Sequence, residues 1–152
     1  MSMSYLTRAI LAIACFTPSQ ATPALGAGKA AYVDKERFDP PRAIAMVRDA
    51  GGVPILAHPA LLGMGMDALE KLVRGLMEHG LMGIEAFYTE HQNHVARKLQ
   101  TLAAKLDLLV SGGSDFHGDN KKGVHLGVGK GTLRVPAGLL EPIRRGSTLL
   151  HP

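Results

Sequence analysis

The sequence predicts an α/β fold built on parallel strands, and three observations point to it. Short apolar runs rich in Val, Ile and Leu alternate with longer segments whose apolar residues recur at helical spacing. Glycine or proline marks most changes from one pattern to the other. The connections are short, so consecutive strands are expected to lie parallel and be joined by right-handed crossovers. With 152 residues, 46% hydrophobic and 20% charged, the chain is long enough and apolar enough to bury a core.

Residues 1–34 stand apart from the rest, being rich in Ala, Thr and Pro and poor in acidic residues, and they lead into GAGKAAYVDKERF. The start, MSMSYLTRAILAIACF, has one Arg ahead of a short apolar run, with Ala24, Leu25, Gly26 and Ala27 further on. That layout imitates a secretory leader. A secreted protein with a cleaved leader is therefore one expectation, although the run falls short of the about 20 residues that span a bilayer. The preferred expectation is an amphipathic helix with Leu6, Ile10 and Ile13 on one face, stopped by Thr17-Pro18.

Regular punctuation begins at residue 35. Asp39-Pro40-Pro41 predicts a helix start, because Asp caps free N–H groups and Pro suits the first turn, and Gly51-Gly52 ends that helix. VPILAHP, closed by proline, predicts a buried strand. A helix follows from about Met66 to His79, with Leu69, Leu72, Val73 and Leu76 inward, halting at Gly80 before the strand GIEAFY at 83–88. A further helix from about Gln92 to Leu106 precedes the strand DLLVSGG, and a last helix is expected around Pro136–Arg145. The seven methionines fall mostly at helical core spacing or in the loop 63–66, where packing explains them.

The formal net charge of +4 and pI of about 9.4 suit an anionic ligand. No Lys/Arg cluster is longer than a pair, which argues against a nucleic-acid groove. Cys15 is the only cysteine, so an intrachain disulfide framework and a cysteine zinc knuckle are excluded and a reducing compartment, bacterial cytoplasm, is expected.

In parallel α/β folds, sites gather at the carboxyl ends of strands. His58 ends the first predicted strand, and Asp115 with His117 follows the third. Metal-ligand side chains thus converge on one mouth, and in an extended segment residues 115 and 117 would face the same side. Gly112 and Gly113 would relieve crowding there or permit an unusual backbone angle. The plainer alternatives are a hydrogen-bonded histidine at a strand end for AHP and a helix cap for Ser114-Asp115. His91 and His94 sit one helical turn apart after a strand end, with His91 the candidate substrate contact and His94 a surface residue. Glu85, inside an apolar strand, must find a partner, either as support behind a metal ligand or in an ion pair. Lys121, Lys122 and Arg134 are candidates for phosphate contact or for plain solvation of a loop, and His79, His125 and His151 form no constellation.

AGGVPILAHP, GIEAFY followed by His91, and LLVSGGSDFHGDNKKGVHLG resemble the carboxyl-terminal half of the PHP (polymerase and histidinol phosphatase) metal-dependent phosphoesterases, in the bacterial branch acting on nucleotides or short oligonucleotides. The resemblance covers about residues 28–146, including GKAAYVDKERFDPPRAI, while residues 5–27 resemble the tail of a helical insertion. It implies a distorted (β/α)7 barrel, with residues 1–34 as the remnant of the insertion and linker and 35–152 as the carboxyl-terminal half of the barrel. It implies divalent metal ions, manganese, zinc or iron, with His58, Asp115 and His117 as this chain's ligands. Paired cations would lower the pKa of a bridging water and neutralise phosphate oxygens. No His-x-His segment occurs in the 152 residues, and Glu85 lies in the wrong strand to be the family's bridging glutamate. The resemblance therefore implies a truncated chain with an incomplete metal site and low activity alone. Its partners would be a phosphorylated small molecule or short nucleic acid, no membrane, and a second copy or a missing amino-terminal half. The alternative is a non-catalytic remnant or subunit that pairs through an exposed sheet edge.

Overall fold

The computed structural model describes residues 12–13 and 38–148. Their element order is β1 (Ala12–Ile13), α1 (Pro40–Asp49), β2 (Ile55–Leu56), α2 (Met66–Glu78), β3 (Gly83–Tyr88), α3 (Asn93–Lys105), β4 (Leu109–Gly113) and α4 (Leu140–Thr148). The four strands form one sheet in the order β1-β2-β3-β4 and every pairing is parallel. Among the described residues this is an open sheet with β1 and β4 at its edges, and these strands alone do not close a barrel.

The helices form where expected and for the expected reasons. Pro40 and Pro41 open α1, although the Asp39 side chain makes no capping hydrogen bond. Apolar residues of α2 (Leu69, Val73, Leu76) and α3 (Leu99, Leu102, Ala103) pack with Ile84 and Ala86 of β3 into the main core. A side chain such as Ile84, fully buried, contributes about 1.5–3 kcal/mol. A smaller cluster joins Val53 and Ile55 to Ile143 of α4, with Met82 and Leu109 against it.

Three expectations need correction. Ile13, assigned to an amphipathic helix, is in β1, paired in register with Leu56; the rest of that predicted helix, like Cys15 and His151, lies outside the described residues. The strand predicted over VPILAHP is two residues long, because Pro54 has no N–H to give a ladder and His58 turns into a left-handed conformation, φ 32° and ψ 55°. The last helix enters through a 3-10 turn, Ala137–Leu139, and runs to Thr148.

The β3–β4 register skips one residue, passing from Glu85 opposite Ser111 to Phe87 opposite Gly112. Ala86 is the extra residue, so the pair is bulged. Here the backbones come so close that a Cβ on Gly112 would stand 2.5 Å from Phe87 Cβ and 2.7 Å from its carbonyl oxygen. Close approach, rather than an unusual angle, is what requires glycine at this position.

Candidate active site

Beyond the carboxyl ends of β2, β3 and β4 three side-chain groups meet around Tyr88. His58 lies two residues past β2, and its strained backbone is held by the Glu85 carboxylate, whose Oε2 accepts the His58 N–H at 2.7 Å. A non-glycine residue in this region costs roughly 1–3 kcal/mol and persists only where its surroundings fix it. The His58 ring leans on Tyr88 with centroids 5.2 Å apart.

Asp115 follows β4 and is also left-handed, with φ 55°. The stretch 115–117 is therefore not extended, correcting the expectation that its side chains share a face by alternation. The left-handed turn still brings the two together. His117 Nδ1 lies 2.9 Å from the Asp115 carbonyl oxygen and 3.3 Å from its Oδ1. The other carboxylate oxygen, Oδ2, accepts Lys121 Nζ at 2.6 Å and Tyr88 Oη at 3.2 Å, and Lys121 also donates to Tyr88 Oη at 3.0 Å. His91 packs edge-on against Tyr88 at 5.0 Å and reaches back to the Ala86 carbonyl with Nδ1, at 2.9 Å.

A carbonyl only accepts, so His91 and His117 each carry a proton on Nδ1, and in His91, which burial keeps neutral, this leaves a lone pair on Nε2. In His91 that Nε2 is buried without a partner. Backbone-anchored Nδ1–H is also how metal-ligating histidines are commonly oriented.

Electrostatics follow from burial and from Lys121. Burial lowers the pKa of His58 and His91, keeping both rings neutral, and raises the phenol of Tyr88. Burial pushes the Glu85 carboxyl up to about 7, against the opposing hydrogen bond from His58. For Asp115 burial alone would raise the pKa, yet the Lys121 hydrogen bond and charge, with His117 and Tyr88, bring it below the usual value. Lys121 is raised in turn, because Asp115 and Tyr88 outweigh its own desolvation.

As donors, a carboxylate and neutral imidazoles suit a borderline divalent ion. The arrangement as it stands does not fit one. Among the described residues no group of three or more His, Cys, Asp or Glu side chains is placed to hold a metal ion. An ammonium group already takes Asp115 Oδ2, where a cation would bind.

The chain is similar to phosphoesterases. It is 36% identical over 104 residues to the phosphoribosyl 1,2-cyclic phosphate 1,2-diphosphodiesterase of Eggerthella lenta, covering 68% of this chain and 36% of that protein. A 5'-3' exoribonuclease of Haemophilus influenzae is 37% identical over 93 residues, covering 61% of this chain and 34% of its own length. The 3',5'-nucleoside bisphosphate phosphatase of Chromobacterium violaceum is 31% identical over 100 residues, with 66% and 35% covered. The chain thus spans about a third of the length of the curated relatives it matches. Among solved structures, a proposed metal-dependent phosphoesterase from Bifidobacterium adolescentis superposes with a TM-score of 0.59 at 27% identity, covering 80% of this chain and 41% of that one. An amidohydrolase from Chromobacterium violaceum, with bound sulfate and no metal, gives 0.57 at 25% identity, covering 79% and 41%. No protein-family model matches the chain.

Tyr88 and the Asp115 contact of Lys121 were not expected from sequence. The tyrosine closes an apolar strand and looks like core, while Lys121 looks like one of two loop lysines. Among the described residues Glu85 has no ion-pair partner; it supports His58 by accepting that residue's backbone N–H. His79, His94 and His125 are exposed. No helix among the described residues is long and apolar enough to cross a membrane.

Proposed function

We propose that this chain is part of a metal-dependent phosphoesterase of the PHP type, hydrolysing phosphate esters of nucleotides or short oligonucleotides in the bacterial cytoplasm. Strands β2, β3 and β4 would belong to the carboxyl-terminal half of the family's seven-stranded barrel, with residues 1–34, which include β1, as the end of an insertion. The observation that supports this most strongly is that His58 and Asp115, from two different strand ends, both contact Tyr88, with His117 beside Asp115. The likeness to a diphosphodiesterase, an exoribonuclease and a bisphosphate phosphatase agrees with it. His58, Asp115 and His117 are this chain's contribution to a site for manganese, zinc or iron, and His91 faces the substrate. Because no complete metal-holding group stands among the described residues, binding by the chain alone is expected to be weak and turnover low.

The test is a manganese titration of the full chain by electron paramagnetic resonance, with phosphate release from a nucleoside 3',5'-bisphosphate assayed alongside. Weak binding that disappears in His58→Ala and in Asp115→Asn is the expected result. Manganese binding indifferent to substitution of residues 58, 115 and 117 alike would remove the basis of the proposal.

A second reading, a non-catalytic subunit, draws on the edge strand β4 and on the exposed Phe116 and Leu126 beyond it, 46% and 77% exposed. A metal-free, stable dimer in light scattering would favour it.

A further inference from the structure

A cavity of about 330 Å³ is lined by residues of α3, by the segment 132–134, and by Tyr88 and His91. That volume falls at the lower end of ligand-binding pockets, about 300–1,000 Å³. Two arginines line it, Arg97 from α3 and Arg134 from the far wall, and none of the lining residues is acidic. Most basic side chains near acids in this chain are answered: Arg74 and Lys105 by Glu70, Lys121 by Asp115, Lys130 by Glu90, Arg144 by Glu141. Arg134 donates only to the neighbouring Leu133 carbonyl, and among the described residues no carboxylate pairs with Arg97 or Arg134. Asn93 and Thr132 add uncharged donors to the same walls. Thr89 Oγ1 accepts the Lys130 N–H at 2.9 Å, which leaves its own hydroxyl hydrogen free to donate.

Two arginines on the walls of one cavity make it electropositive, and the planar forks of their guanidinium groups match phosphate oxygens. Tyr88 is the shared wall. One side of it lines the cavity, and its hydroxyl bonds Asp115. We infer that Arg97 and Arg134 form a subsite for a second, non-reacting phosphate group of the substrate, one tyrosine ring away from Asp115. This rests on the phosphoesterase reading for the word substrate, but the anion site itself stands on the cavity and its charges.

Titration of the metal-free full chain with inorganic phosphate, followed by NMR of the arginine guanidinium and Thr132 amide signals, tests it without requiring metal or turnover. A saturable response is expected at those signals. Arg97→Gln and Arg134→Gln should each weaken it roughly tenfold, in keeping with loss of one charge-assisted pair. Arg97→Lys and Arg134→Lys, which keep the charge and the exposed position, should recover only part. Arg74→Gln, on the outer face of α2, should leave phosphate affinity unchanged. Two further ligands separate the sources of the phosphate. Tighter binding of a nucleoside 3',5'-bisphosphate than of the monophosphate, lost in the double glutamine variant, assigns the subsite to free nucleotides; the same loss with a 5'-phosphorylated dinucleotide assigns it to the next backbone phosphate. Phosphate that shifts only His117 and Lys121, or that binds the double variant as well as the parent, overturns the inference. A negative metal titration would sink the hydrolase reading and leave this result standing.

Discussion

The β3–α3 layer and the loop that follows β4 are held by different forces. In the first, Ile84, Ala86, Leu99 and Ala103 are at most 1% exposed and interlock through side-chain packing. In the second, residues 114–136 contribute one buried apolar side chain, Val124, and depend on polar contacts. Lys121 grips Asp115, the Gly127 N–H donates to Ser114 Oγ, and the Lys130 N–H to Thr89 Oγ1. Asp115, His117 and Lys121 therefore sit on a segment with a single buried apolar anchor, Val124. The sharpest break in this contrast is Leu99→Ala, which empties space in the packed layer. It should destabilise the chain by about 2–5 kcal/mol in urea unfolding. A loss below about 1 kcal/mol would mean that α3 does not anchor the sheet.

Glu85 belongs to the packed strand but sends its carboxylate to the backbone of His58, beyond β2. Its pKa, about 7 against an ordinary 4.5, means that the folded chain keeps a proton that the unfolded chain has released. Stability therefore falls as pH rises from about 4.5 to about 7, and the lost stability is on the order of 3 kcal/mol above that window. His58 and His91 act in the opposite sense. Their lowered pKa values make the unfolded chain the better proton acceptor, so their contribution is lost as pH falls below about 6.5. Glu85→Gln separates these trends, because the amide oxygen still accepts the His58 N–H but carries no charge. The variant should gain up to about 3 kcal/mol over the parent at pH 8 and almost nothing at pH 4. Equal differences at both pH values would show that ionisation of Glu85 does not control the effect.

The same division explains what the sequence made legible. Apolar periodicity reports packing, so α2, α3, β3 and β4 were visible within a residue or two. Proline and left-handed backbone shortened β2, because strand length depends on ladder hydrogen bonds that hydropathy does not encode. His58, Asp115 and His117 stood out as residue types at the ends of predicted strands. Tyr88 did not, since an aromatic side chain 3% exposed at the end of an apolar strand has the pattern of core. The need of Glu85 for a partner was clear from its apolar neighbours, but a backbone N–H 27 residues away leaves no trace in side-chain identities. The Lys121 contact arises from the left-handed turns at Asp115 and Gly118, which fold the loop back on itself.

Lys121 gives the smallest and most specific prediction. Lys121→Met keeps most of the aliphatic stem and removes the ammonium from Asp115 Oδ2. With about a quarter of each side chain exposed, solvent screens the pair, and the expected loss is only about 1 kcal/mol. The carboxyl pKa is the better readout. In the parent it is held below the usual value, so the associated stability is present at neutral pH and is lost as pH falls through the folded value. Without Lys121, burial is opposed only by His117 and Tyr88, and the carbon-detected NMR titration of Asp115 should move upward. An unchanged midpoint would mean that the ammonium is not seated on Oδ2 in solution. That outcome would also return Oδ2 to the set of oxygens open to a divalent ion, and the contrast between a packed strand and a loop held by charge would lose its strongest contact.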